Sequence, residues 1–187
     1  MAIRIYIDQG HNPVNPNAGA EGNGLREQNI TYRIGRELAT LLQADPDYEV
    51  RLSRPTAQTQ LGNSLSSSLR ARVQDANAWG ADYFISLHTN ASEISSATGT
   101  EAFVYARDSA AFDLAEDLVA GVANVTGLPN RGTFVRSGLY VLRKTAMPAV
   151  LLELGFITNP GDAALMNENP GLFAQGIYQG IKNYIGV

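Results

Sequence analysis

Short apolar runs alternate along this chain with longer stretches whose apolar residues recur every three or four positions, and this restricts the fold more than any other feature. Ile3, Ile5 and Ile7 read as a strand stopped at Gly10, followed by an Asn-, Pro- and Gly-rich loop from Asn12 to Gly24. Ile30, Ile34, Leu38, Leu41 and Leu42 keep a helical period within 25–43, and Pro46 forbids its continuation. Tyr48 to Ser53 reads as a strand. Leu65, Leu69, Val73, Ala76 and Trp79 predict a helix closed by Gly80, and Tyr83 to His88 a strand. Thr100 to Tyr105 predicts another strand, and Phe112 to Val122 a helix ended by Gly127 and Pro129. Leu139 to Leu142 and Ala149 to Leu154 read as two more strands, and Leu172 to Tyr184 as a final amphipathic helix. Strands separated by helices predict an α/β fold, with a twisted, mostly parallel sheet and helices on both faces. No repeat, low-complexity tract or linker interrupts the 187 residues, so one domain over 1–187 is expected.

Composition removes several classes of function. Hydrophobic residues make up 44% and charged residues 17%, which excludes a charge-dominated disordered chain. The net charge is −4 and no Lys/Arg cluster tracks a phosphate backbone, so nucleic acid is not an expected partner. No apolar run approaches the roughly 18 residues of a spanning helix, so no membrane insertion is expected. The first seven residues lack a basic segment followed by an apolar stretch, so no signal peptide is expected. With no cysteine, disulfides, thiol nucleophiles and Cys-based zinc sites are excluded.

Ligands of open α/β sheets bind beyond the carboxyl ends of the strands. His11 follows the first strand and His88 closes the strand from Tyr83, so both histidines fall on one expected rim. Each alone reads as a polar residue satisfied locally; together they read as a pair of nitrogen ligands for a metal such as zinc. Glu27 opens the first helix, where the dipole favours an acid. Ile30 and Ile34 share its face, so its carboxylate is aimed along the buried stripe. Glu21, in the loop, is the less constrained competitor.

Glu153 interrupts the most apolar strand, Val150 to Leu154. A carboxylate there costs several kcal/mol unless paired or metal-bound. Either it forms a buried ion pair, with Arg143 or Arg54, or it is a general base tuned by burial and a nearby cation. A Ser-His-Asp arrangement competes with the metal reading, but no G-x-S-x-G elbow occurs, and Ser64 to Ser68 reads as a helix start. Spacing alone does not decide, since no compact ligand motif such as H-E-x-x-H is present.

Larger blocks add to this. Ile7-Asp8-Gln9-Gly10-His11-Asn12, Gly24-Leu25-Arg26-Glu27, Phe84-Ile85-Ser86-Leu87-His88-Thr89-Asn90-Ala91 and Pro148 to Asn159 resemble, in order, the zinc-dependent N-acetylmuramoyl-L-alanine amidases of the amidase-3 family. Leu69, Arg72, Ala76-Asn77 and Tyr140 to Arg143 fit the intervening blocks. Gln9 and Asn12 depart from the Pro and Gly common there. The resemblance implies a mixed sheet of about six strands, a Zn2+ ion on His11, Glu27 and His88, and Glu153 as catalytic glutamate. It implies a peptidoglycan hydrolase acting at the bacterial cell wall, as autolysins and endolysins do, on the amide between N-acetylmuramic acid and L-alanine. A monomer is expected. Asn90 and Arg131 are candidate substrate contacts and equally fit a loop-stabilising role. The stretch from Asn90 to Gly99 is too short for a blocking helix, so an open site is expected. A carboxypeptidase on the same stem peptides and a silent wall-binding module are the competing functions.

Overall fold

The computed structural model describes residues 2–186. Fourteen elements follow in chain order, beginning with β1 (Ile3–Gln9), β2 (Glu21–Gly22), β3 (Leu25–Arg26), α1 (Glu27–Gln43) and β4 (Tyr48–Leu52). Next come α2 (Leu65–Trp79), β5 (Tyr83–Asn90), β6 (Thr100–Val104), α3 (Ala110–Thr126) and β7 (Asn130–Val135). The chain ends with α4 (Tyr140–Lys144), β8 (Ala149–Phe156), α5 (Pro160–Glu168) and α6 (Pro170–Ile185). Six strands form one sheet in the order β4-β1-β5-β8-β6-β7, and β2 pairs with β3 in a separate hairpin. Every pairing in the large sheet is parallel except β6 with β8. The expected mostly parallel, mixed sheet of six strands is what the chain forms.

Side-chain alternation divides the strands between two layers. Ile5, Ile7, Ile85, Leu87, Val150 and Leu152 face the larger core, against Ile34 and Leu38 of α1, Leu118 of α3 and Ile177 of α6. Tyr6, Phe84, Phe103 and Leu151 face the opposite side, covered by Val73 and Ala76 of α2 and by Val141 and Leu142 of α4. This second layer is the smaller, and at its top the same alternation brings polar side chains onto the sheet face.

Three sequence expectations need correction. Leu139 to Leu142 forms no strand; it leads into the short helix α4, whose Val141 and Leu142 are buried side by side against β8. A four-residue apolar run has the same appearance as a strand or as a buried helical turn. The first helix starts at Glu27, because Leu25 and Arg26 pair with Gly22 and Glu21 in the hairpin. Finally, β7 and α5 have no counterpart in the sequence reading. β7 is an edge strand whose Asn130, Arg131, Phe134 and Val135 are exposed, so it lacks an apolar alternation. α5 starts from Pro160, and the Asn159 side chain accepts from the amides of Gly161 and Asp162.

Beneath the carboxyl ends of the central strands lies an ion pair, Asp8 with Arg72, each 1% exposed. Ser86, beside Asp8 in the β1–β5 register, donates its hydroxyl to the same carboxylate at 2.7 Å. Burial pushes the Asp8 carboxyl up, but Arg72 and Ser86 outweigh it and hold the group below the usual carboxylate range. Replacing Arg72 by Ala leaves a buried charge without its partner, and about 3–5 kcal/mol of stability is expected to be lost. Chemical denaturation checks this; a loss below about 1 kcal/mol would contradict it.

Candidate metal and catalytic centre

His11, Glu27 and His88, separated by 16 and 61 positions, meet at one point. One ligand atom from each lies within 4.8 Å of the others. His11 Nε2 and His88 Nδ1 each stand 3.1 Å from Glu27 Oε1, and the two rings meet edge to face with centroids 4.9 Å apart. Glu27 is buried, whereas each imidazole keeps about a fifth of its side-chain surface exposed (21% and 19%). The cluster is therefore closed beneath and open above.

Local structure dictates each position. His11 sits just past β1 with φ of +67°, a left-handed conformation that a side chain adopts only when its surroundings enforce it. The enforcement is a set of backbone hydrogen bonds. Arg72 donates to the carbonyls of Gln9 (2.7 Å) and His11 (2.6 Å), and the Thr31 hydroxyl donates to that of Gly10 (2.9 Å). The Gly10 amide donates to Leu87 O on β5. His11 Nδ1 is buried without a partner among the described residues, so the backbone and not a second side-chain bond orients this ring.

Glu27 is the first residue of α1, and its two oxygens are held separately. Oε2 accepts from the Ala20 amide at 2.8 Å, and Oε1 from the Thr89 amide at 2.9 Å. Thr89 lies where the β5–β8 register shifts, and such a bulge frees an amide from the ladder. Burial pushes the Glu27 carboxyl up, but the hydrogen bonds and charges of His11 and His88 prevail and keep it well below the ordinary range. Two glycines make room. A Cβ at Gly10 would come within 2.6 Å of the His88 ring, and one at Gly19 within 2.7 Å of Glu27 Oε2 and 2.8 Å of His11.

The donor chemistry fits a divalent cation of the zinc type: two imidazole nitrogens and a carboxylate oxygen, preorganised and exposed on one side. Glu21, by contrast, is exposed and paired with Arg26, so it takes no part.

Glu153 is brought to the same place by strand register. It lies directly beside His88 across β5–β8 and beside Glu101 across β6–β8, all on one face. Its Oε2 is buried with no hydrogen-bond partner among the described residues. Neither Arg143 nor Arg54 pairs with it: Arg143 is exposed on α4, and Arg54 donates to the carbonyls of Gln28 and Ala57. Burial, reinforced by the charges of Glu27 and Glu101, pushes the Glu153 carboxyl up to about 8, against an opposing pull from Arg136.

Asn90 and Arg131 both reach Glu101. The Asn90 amide donates to Oε1 and Arg131 Nε to Oε2, each at 2.8 Å. Arg131 also donates to Thr98 O and stands 5.0 Å over the Phe156 ring. Glu101 was missed by the sequence reading, although a carboxylate in the run Thr100-Glu101-Ala102-Phe103-Val104 is the same signal that marked Glu153. Residues 91–99 form a loop without a helix. A pocket of about 210 Å³ opens from His11 and His88 between α2 and α4, walled by Leu65, Leu69, Leu139 and Tyr140. A larger cavity of about 800 Å³ lies beside the β2–β3 hairpin, and none of the three clustered residues lines it.

An α/β sheet that gathers two imidazoles and a carboxylate at its strand ends, beside a buried acid, has the layout of a metal-assisted hydrolase. The family model described as N-acetylmuramoyl-L-alanine amidase matches residues 5–183, and the chain belongs to that family, amidase-3. N-acetylmuramoyl-L-alanine amidase CwlM of Bacillus licheniformis is 35% identical over 183 residues, covering 97% of this chain and 66% of the relative. An endolysin of Bacillus phage SPP1 is 30% identical over 195 residues, covering all of this chain and 68% of the relative. The catalytic domain of CwlV, an N-acetylmuramoyl-L-alanine amidase from Bacillus (Paenibacillus) polymyxa, is 32% identical, with a TM-score of 0.86 and 99% of each chain covered. This chain thus spans about two thirds of the length of CwlM.

The Glu153 environment has a consequence in the metal-free protein. Its carboxyl holds a proton more tightly folded, at about 8, than unfolded, near 4.5. The associated stability is full below pH 4.5 and is lost as pH rises through 8. The unfolding temperature of the metal-free protein is expected to fall between pH 5 and pH 9, and to fall less in Glu153→Gln. Calorimetry across that range checks it; equal falls in both proteins would contradict the assignment.

Proposed function

We propose that this chain hydrolyses the amide between the lactyl group of N-acetylmuramic acid and L-alanine in peptidoglycan, acting as a monomer at the bacterial cell wall. His11, Glu27 and His88 hold a zinc ion, and Glu153 is the general base and acid. The carrying observation is the convergence of the three ligand atoms within 4.8 Å, with Glu153 one strand away. Family membership supports the substrate, and the named relatives include both a bacterial amidase and a phage endolysin.

Zinc in this site supplies Lewis acidity to the scissile carbonyl and lowers the pKa of water toward ~7. The chain's residues do the rest. Glu153, with one oxygen unpartnered inside a buried site, accepts the proton that water loses as its oxygen bonds to the carbonyl carbon. As the C–N bond breaks, Glu153 returns that proton to the departing amine of L-alanine. With a cation held by His11, Glu27 and His88, the Glu27 charge that helps raise the Glu153 carboxyl would be offset, and its carboxylate form would be favoured. Glu101, held by Arg131 and Asn90, stays out of the proton transfer; its charge is already paired.

Two substitutions separate the roles. Glu153→Gln is expected to retain one zinc per chain and lose about 10²–10⁴-fold in kcat, the usual contribution of a general base. His11→Ala is expected to lose the metal and the activity together. Metal analysis, with mass spectrometry of digested wall, reads both. New L-alanine amino termini mark an amidase, and a released terminal amino acid would show a carboxypeptidase instead. Full activity in Glu153→Gln would remove the base from this account.

A further inference from the structure

The sheet face beyond Glu153 carries a cation that has no carboxylate partner among the described residues. Arg136 follows β7, and its amide donates to Val104 O at 2.8 Å, so its backbone is tied to the sheet. Its guanidinium carbon stands 4.1 Å over the ring of Phe103, a close cation–π contact. Phe103 lies on the same face of β6 as Glu101, and its register partner Leu151 is one same-face step from Glu153. Strand spacing places these positions on the order of 5–7 Å apart. Among the described residues no carboxylate lies within ion-pair distance of Arg136, whereas Arg131 is engaged with Glu101. Arg136 is thus an exposed charge, fixed in place and free to receive an anion.

The other flank of the centre is different in kind. The pocket walled by Leu65, Leu69, Leu139 and Tyr140 is largely apolar. The proposed substrate has a matching asymmetry about the bond to be cut. Its lactyl and sugar side is uncharged. On its peptide side the second residue, D-glutamate, carries a free α-carboxylate unless the wall is amidated there. That carboxylate lies about two residues from the scissile bond, some 7 Å of extended chain.

Resting on the amidase reading, we propose that Arg136 is a specificity residue that receives the α-carboxylate of the second stem-peptide residue, while the lactyl side occupies the Leu65–Tyr140 pocket. The chain then discriminates between walls with free and with amidated D-glutamate.

Two soluble muramyl peptides test this, identical except for a carboxylate or a carboxamide at that position. Zinc-loaded wild type is expected to favour the carboxylate about 10- to 100-fold in kcat/KM, mainly through KM, as a charged hydrogen bond allows. Arg136→Gln is expected to bring the ratio of kcat/KM between the carboxylate and carboxamide substrates down toward one, and Arg136→Lys to restore part of that ratio. NMR titration with the released peptide gives a readout without turnover: shifts at Arg136 and Phe103 with the carboxylate form only. Equal cleavage of both substrates by wild type, equal loss on both in Arg136→Gln, or shifts indifferent to the carboxylate would each overturn the proposal. Failure of wild type to cleave either substrate would overturn the amidase reading itself.

Discussion

One buried carboxylate organises this molecule's working end. Glu27 is removed from water, and both its oxygens are taken up by backbone amides and imidazoles from two other segments, the loop after β1 and the end of β5. Such a charge is tolerable only where its partners are fixed, because desolvation costs several kcal/mol otherwise. The loop after β1, the first turn of α1 and the bulged end of β5 therefore have to arrive together. The left-handed backbone at His11 and the lack of side chains at Gly10 and Gly19 are local consequences of that crowding. What makes the arrangement costly without a cation is also what prepares it to bind one.

The two sheet faces divide the labour. One is covered by α1, α3 and α6 and is apolar over most of its length, with Gln9 buried against α1 at one end. The other is covered only in part, by α2 and α4, and grades from Tyr6 and Phe84 through the buried Asp8–Arg72 pair to His88, Glu153 and Glu101. Arg72 joins the layers, since one guanidinium balances Asp8 below and pins the His11 carbonyl above. Stability and site geometry thus share a side chain. Beyond Glu153 the acids and bases change character, from a lone unpaired carboxylate to a Glu101 fully engaged by Arg131 and Asn90.

Much of this was legible in the sequence because burying a polar group leaves a visible mark. Glu153 stood out in an apolar strand, Glu27 on an apolar helical stripe, and the histidines at strand ends; His11, Glu27 and His88 cluster, and Glu153 lies beside His88 in the strand register. Glu101 carried the same mark and was overlooked, and with it the reason Asn90 and Arg131 point where they do. Other features leave no such mark. The amides of Ala20 and Thr89 that hold Glu27 belong to the backbone, and a bulge has no side-chain signature. The edge strand β7 lacks alternation because little of it is buried. Leu139 to Leu142 misled because a short apolar run fits a strand and a helical turn equally.

The most direct test of the account is anomalous diffraction at the zinc edge from crystals of the zinc-loaded protein. A single strong peak is expected among His11 Nε2, His88 Nδ1 and the Glu27 carboxylate, with Glu153 outside the ligand set. A peak elsewhere in the molecule, or one that persists at the same place in His11→Ala crystals, would contradict it.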